Sequence, residues 1–338
     1  MSASRTRRRL GVGAVVLGAG AAVGYAAQRR LSNRWRTDEA AMEAAGLVLD
    51  DQLIHHQIPV SDGGTIHAVE AGVGPPIVLV HGVTLSVITW ARQLAGLAAD
   101  HRVIAIDQRG HGPSTAGTDG YTLDRLAEDV IEVLHELDVE GAVLVGHSLG
   151  GMVSMTAAIN SPDRLADHVA GLALVATSSH PLANLPIPPA VVDRVGAWNE
   201  RSLVRAGEHG RRVIPGDSRL TWSMRLAYGV RPDPAAVELG RTMMTAMSPA
   251  SLGPLVRGIG SLRLREHLSA IDLPTLVVVG TRDLLTPPRH ARAIAEGILG
   301  AELVVLPGTG HMVMLECPDK LNTLLDEFSA KVTKEVPA

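Results

Sequence analysis

Short uninterrupted apolar runs punctuate the chain, each bounded by glycine, proline or an acid. Pro75–Gly82 (PPIVLVHG), Arg102–Asp107 (RVIAID), Ala142–Gly146 (AVLVG), Gly171–Thr177 (GLALVAT), Pro274–Gly280 (PTLVVVG) and Glu302–Gly308 (ELVVLPG) are of this kind. A short run rich in Val, Ile and Leu, without alternation, reads as a strand buried on both faces. Ahead of them, Gln52–Val60 and Thr65–Ala71 flank Ser61-Asp62-Gly63-Gly64 and read as a β-hairpin. Between strands the period changes. Leu126, Val130, Val133 and Leu137 recur at helical spacing with Thr122 placed to cap, and Leu321, Leu324, Leu325 and Phe328 follow Pro318-Asp319, a favourable helix start. This alternation predicts an α/β fold: a mostly parallel, doubly wound sheet of eight strands with helices on both faces.

One connection breaks the rhythm. About 95 residues separate Thr177 from Pro274, whereas a single crossover helix with its loops needs roughly 20. Residues 180–268 therefore read as an inserted helical cap, with the core in 47–179 and 269–334. Apolar positions from Leu182 to Trp198, together with Met243, Met244 and Met247, could line a pocket or simply pack against the core.

Residues 1–36 form a separate segment. Leu10 to Gln28 is uncharged and flanked by arginines. As a helix, Leu10–Ala27 would span ~27 Å, close to a ~30 Å hydrocarbon layer, and Gly20 to Gly24 has the GxxxG spacing of packed membrane helices. The expectation is membrane association through residues 10–28 as a single-pass segment. The alternative is export after cleavage of a signal.

Composition narrows the function. The chain has one Phe, three Tyr and four Trp and a net charge of −4, so stacking platforms and a general attraction for nucleic acid are both lacking. Arginine is concentrated at 1–36 and in 181–268, leaving the remainder acidic. No HExxH, CxxC or phosphate loop occurs, and neither a metal nor an organic cofactor is implied.

The chemistry begins at Gly146-His147-Ser148-Leu149-Gly150, where a buried strand ends and a small-residue helix begins. Glycines on either side of the serine suit a strained turn in which side chains would strike neighbouring elements. A serine hydroxyl at neutral pH needs a base, a group to orient that base, and donors for an oxyanion. Asp283 follows the seventh strand and His311 the eighth, on the rim where open α/β sheets place their sites. Asp107 is a competing acid, but it precedes the serine in the chain.

The stretches LVHGVTLSVITW (79–90), DQRGHGPS (107–114), GHSLGG (146–151), GTRDLLTP (280–287) and GTGHMVMLECP (308–318) lie in that order over most of the chain. With them the chain from about Gln52 to Val332 resembles the α/β-hydrolase superfamily, in its serine esterase and lipase type. The resemblance implies the α/β-hydrolase fold and the order Ser148, Asp283, His311 for nucleophile, acid and base. It further implies that the backbone amides of Val83 and Leu149 hold the oxyanion, and that Asp107–Ser114 is a structural turn. The expected reaction is hydrolysis of a small-molecule carboxylic ester through an acyl-enzyme on Ser148. An acyltransferase or perhydrolase with the same triad, or a non-catalytic small-molecule-binding protein, remains open, because one fold hosts all three.

Overall fold

The computed structural model describes residues 37–181 and 224–335. Eight strands form one sheet: β1 (Ile54–Pro59), β2 (Thr65–Ala71), β3 (Pro76–Val80), β4 (Arg102–Asp107), β5 (Ala142–His147), β6 (Val169–Val175), β7 (Thr275–Gly280) and β8 (Glu302–Leu306). Their order is β1-β2-β4-β3-β5-β6-β7-β8. The β1–β2 hairpin is antiparallel, as is its junction with β4, and every later pairing is parallel. The expected α/β-hydrolase fold, a mostly parallel eight-stranded sheet flanked by helices, is the observed one.

Why the strands read as unbroken apolar runs is clear from the packing. Val78, Val80, Ile104, Ile106, Leu144, Leu172 and Val277 face one core, with the helices Leu123–Glu136, Leu149–Asn160 and Pro288–Gly297. Their neighbours Ile77, Leu79, Val103, Ala105, Val143, Ala173 and Leu276 face the other, with Trp90, Leu94, Leu321, Leu325 and Phe328. Alternate residues thus enter opposite cores, and each fully buried aliphatic side chain contributes about 1.5–3 kcal/mol. Thr122 caps the first of these helices, its side chain accepting from the Arg125 amide.

Between β6 and β7 the described part includes the helices Pro234–Ala246 and Pro249–Ser261. The Thr89 hydroxyl donates to the buried Met243 Sδ at 3.4 Å, and the Ser251 hydroxyl to the Tyr121 hydroxyl at 3.0 Å. Met244 and Met247 are half-buried against the two cores. The chain leaves and returns at one place, where the Leu264 amide donates to the Ser179 carbonyl at 2.9 Å. The apolar positions Leu182 to Trp198 lie outside the described residues.

The N-terminal expectation is corrected. Among the described residues no helix is long and apolar enough to cross a membrane, and residues 10–28 lie outside them. The span itself is short of a hydrocarbon layer, and five of its positions are glycine. The single-pass segment and the membrane location built on it are therefore dropped.

Candidate active site

β5 delivers Ser148 into a turn with φ 52° and ψ −112°, a conformation that costs a non-glycine residue of order 1–3 kcal/mol. The surroundings hold it there. The Ser148 amide donates to the Val175 carbonyl at 3.0 Å, and its carbonyl accepts from the Thr177 hydroxyl at 2.6 Å. The turn is also compressed. A Cβ on Gly146 would lie 2.5 Å from the Gly150 carbonyl oxygen, and one on Gly150 would lie 2.1 Å from that of Val80. Thr84 and Ala176 also have positive φ. Strain therefore collects at the carboxyl ends of β3, β5 and β6, the rim that carries the candidate residues.

His311 and Asp283 are brought together. His311 Nδ1 lies 2.9 Å from Asp283 Oδ2, and both side chains are buried. Burial would raise the Asp283 carboxyl, but His311 and the Thr286 hydrogen bonds outweigh it and bring it down to about 2. An ionised carboxylate only accepts, so the proton of this bond sits on Nδ1 and Nε2 is left with its lone pair free. The Thr286 hydroxyl donates to Asp283 Oδ2 at 2.7 Å and lies 3.2 Å from His311 Nδ1. The amides of Leu285 and Thr286 both reach Asp283 Oδ1 at 2.8 Å.

Among the described residues no hydrogen bond joins Ser148 Oγ to His311 or Asp283. Contact runs through His147. Its ring lies 4.8 Å from that of His311, and its Nε2 donates to the His311 carbonyl at 3.1 Å. Complete burial, and then the proximity of His311, push the His147 pKa well below its ordinary value, so this neighbour stays neutral.

Leu149 directly follows the serine, and Val83 follows Gly82, whose turn approaches it. Leu149 is the first residue of its helix, where an amide has no intrahelical acceptor. The turn leading to Val83 is pressed on the serine, since a Cβ on Gly82 would lie 3.1 Å from Ser148 Cβ. Two histidines brace that turn. The Thr84 amide donates to His111 Nε2 at 3.2 Å, and His81 Nδ1 donates to the Gly82 carbonyl at 2.8 Å. Burial and then His81 push His111 down to about 3, which keeps its Nε2 an acceptor. Asp107 is engaged elsewhere, bonded to His67 and to the Val87 amide at 2.8 Å each.

Sequence reasoning missed Thr286 and Glu316. An Asp followed three residues later by Thr is a local turn signal that could have pointed to Thr286. Glu316 gave none, because one of its partners, Gly229, is 87 residues away in the chain. Among the described residues no group of three or more His, Cys, Asp or Glu is placed to hold a metal ion.

Comparison with known proteins bears on the family and the fold. Residues 77–324 match the sequence model of the alpha/beta hydrolase family. The chain is 30% identical over 267 residues to the dihydrolipoyllysine-residue acetyltransferase component of the acetoin cleaving system of Pseudomonas putida. That match takes in 76% of this chain but only 64% of that protein's length. It is also 30% identical over 290 residues to the non-heme chloroperoxidase CPO-A1 of Kitasatospora aureofaciens, covering 80% of this chain and 98% of that one. Among solved structures it resembles a thermophilic esterase from Thermogutta terrifontis, with a TM-score of 0.69, 27% identity, and coverage of 83% and 99% of the two chains.

Proposed function

The chain belongs to the alpha/beta hydrolase family, and from that premise we propose that it is a serine hydrolase cleaving carboxylic esters of small molecules through an acyl-enzyme on Ser148. The observation that supports this reading is the buried His311–Asp283 hydrogen bond of 2.9 Å, together with a serine held in a strained turn at the end of β5. His311 Nε2 takes the Ser148 proton as Oγ attacks the carbonyl. Asp283 fixes the tautomer and stabilises the imidazolium while remaining ionised. The Val83 and Leu149 amides receive the oxyanion, each worth about 3 kcal/mol if typical of such donors. Collapse of the tetrahedral intermediate expels the alcohol, which takes the proton from His311. Water activated by the same nitrogen then releases the acid. The described part of the stretch 180–268 is read as part of a cap, a reading supported by the Ala227 carbonyl, which accepts the His311 amide at 2.7 Å.

The test is hydrolysis of p-nitrophenyl esters from acetyl to palmitoyl by the full chain and its Ser148→Ala variant. A defined range of chain lengths should be turned over, and the variant should lose about a thousandfold or more in kcat. Equal rates in the two proteins would refute the nucleophile. The likeness to a chloroperoxidase makes hydrogen peroxide the acceptor to run beside water in the same assay.

A further inference from the structure

Glu316 lies at the end of the short helix Val313–Glu316, five residues after the base. Its carboxylate reaches back over the His311 loop. Oε1 and Oε2 accept the Gly310 amide at 3.0 and 3.1 Å, and Oε2 also accepts the Gly229 amide at 2.6 Å. One side chain therefore ties the residue preceding His311 to a segment that belongs to the long connection between β6 and β7.

The two backbones it joins are in direct contact. A Cβ on Gly310 would lie 2.4 Å from the Gly229 amide nitrogen, and one on Gly229 would lie 2.1 Å from the Gly308 carbonyl oxygen. Two more hydrogen bonds close the seam, from the His311 amide to the Ala227 carbonyl at 2.7 Å and from the Val230 amide to the Gly308 carbonyl at 3.1 Å. Segment 227–230 is itself fixed to the helix Pro234–Ala246, because the Tyr228 hydroxyl donates to the Ala236 carbonyl at 2.5 Å. A continuous path of hydrogen bonds and close contact thus runs from that helix, through Tyr228 and Gly229, to Glu316 and His311.

We propose that Glu316 is a positioning residue that holds His311 and segment 227–230 together as one body and so sets where the imidazole sits. This rests on His311 being the base. The carboxylate touches no reacting atom. It acts by holding the Gly310 amide, and so the backbone from which the imidazole projects. A misplacement of about 1 Å at such a point can cost about a hundredfold in rate.

Three full-length variants test it. Glu316→Ala removes both acceptors, Glu316→Gln keeps one, and Gly229→Ala forces the same seam apart from the other side. Steady-state kinetics on the best p-nitrophenyl ester are paired with proton NMR of the low-field His311 Nδ1–H, assigned by its loss in His311→Ala. Glu316→Ala and Gly229→Ala should lower kcat by about a hundredfold with little change in KM. Both should shift or broaden the low-field proton, and Glu316→Gln should regain most of the rate and the signal. An unchanged proton and kcat in Glu316→Ala would overturn the proposal. So would losses that merely follow the thermal midpoint with no recovery in Glu316→Gln. Ser148→Ala in the same assay separates the two readings. If it stays active, the triad falls and Glu316 with it. If it is dead while Glu316→Ala matches the parent, the coupling alone is wrong.

Discussion

Every acceptor position of the Asp283 carboxylate is filled, two by the Leu285 and Thr286 amides, one by the Thr286 hydroxyl and one by His311. Four donors hold the group ionised and fix its plane, which in turn fixes the imidazole. Thr286→Val replaces the hydroxyl by a methyl group of nearly the same shape, leaving one lone pair of a buried charge unmet. Hydrogen bonds to charged groups contribute about 1.5–3 kcal/mol, so kcat/KM should fall about ten- to a hundredfold, with Thr286→Ser retaining activity. Steady-state kinetics on all three proteins decides this, and an undiminished valine variant would show the two amides to be sufficient. At this scale the sequence was legible where chemistry is local. Ser148, Asp283 and His311 stand out by their places at strand ends, while Thr286 was missed although its turn spacing is also local. The contribution of Glu316 depends on a backbone distant in the chain, and no spacing rule reaches it.

Among the elements, the junction of β5 with the helix Leu149–Asn160 sets the tightest demands. A methyl group on Gly150 would meet the main chain of β3, which cannot rotate away as a side chain could. Gly150→Ala should therefore destabilise by about 1–3 kcal/mol, as overpacking does, and should disable the site by forcing the turn open. Gly260 offers the opposite case, since it sits exposed in a helix with nothing within 4 Å of a built Cβ. Gly260→Ala should stabilise by about 0.5–1 kcal/mol. Urea denaturation of both variants against the parent measures each sign. Strand positions were readable to within about two residues because burial on two faces leaves unbroken apolar runs. The four-residue 3-10 turn Val87–Trp90 and the five-residue helix Pro162–Ala166 were not, since pieces that short carry no period.

Across the whole molecule, histidines buried without charge make stability depend on pH. His111 is pushed down to about 3, His290 to about 4 by burial and then by His180, and His147 well below its ordinary value. Each is protonated in the unfolded chain below about pH 6.5 but not in the folded one, so unfolding takes up protons and stability falls as pH falls from there. For His111 alone the loss between pH 7 and pH 5 is about 2 kcal/mol, and the other two act in the same direction. Asp283, held at about 2 against its ordinary 3.8, adds a further loss only between about pH 4 and pH 2. Urea midpoints at pH 7, 6 and 5 should therefore decline steadily. Equal midpoints would mean that these rings gain protons in the folded state.

The hydrogen bond between the Ser179 carbonyl and the Leu264 amide has a consequence for the length of the insertion. Because the insertion departs and returns at one point, β6 and β7 remain neighbours whatever lies between them. Doubling the length of such a loop costs only about 0.6 kcal/mol in closure entropy. The stretch between Ser179 and Leu264 can therefore be lengthened or shortened at small cost, without redesigning the sheet. What any such change must leave intact is the close meeting of Gly229 with Gly310, where the connection touches the loop of His311.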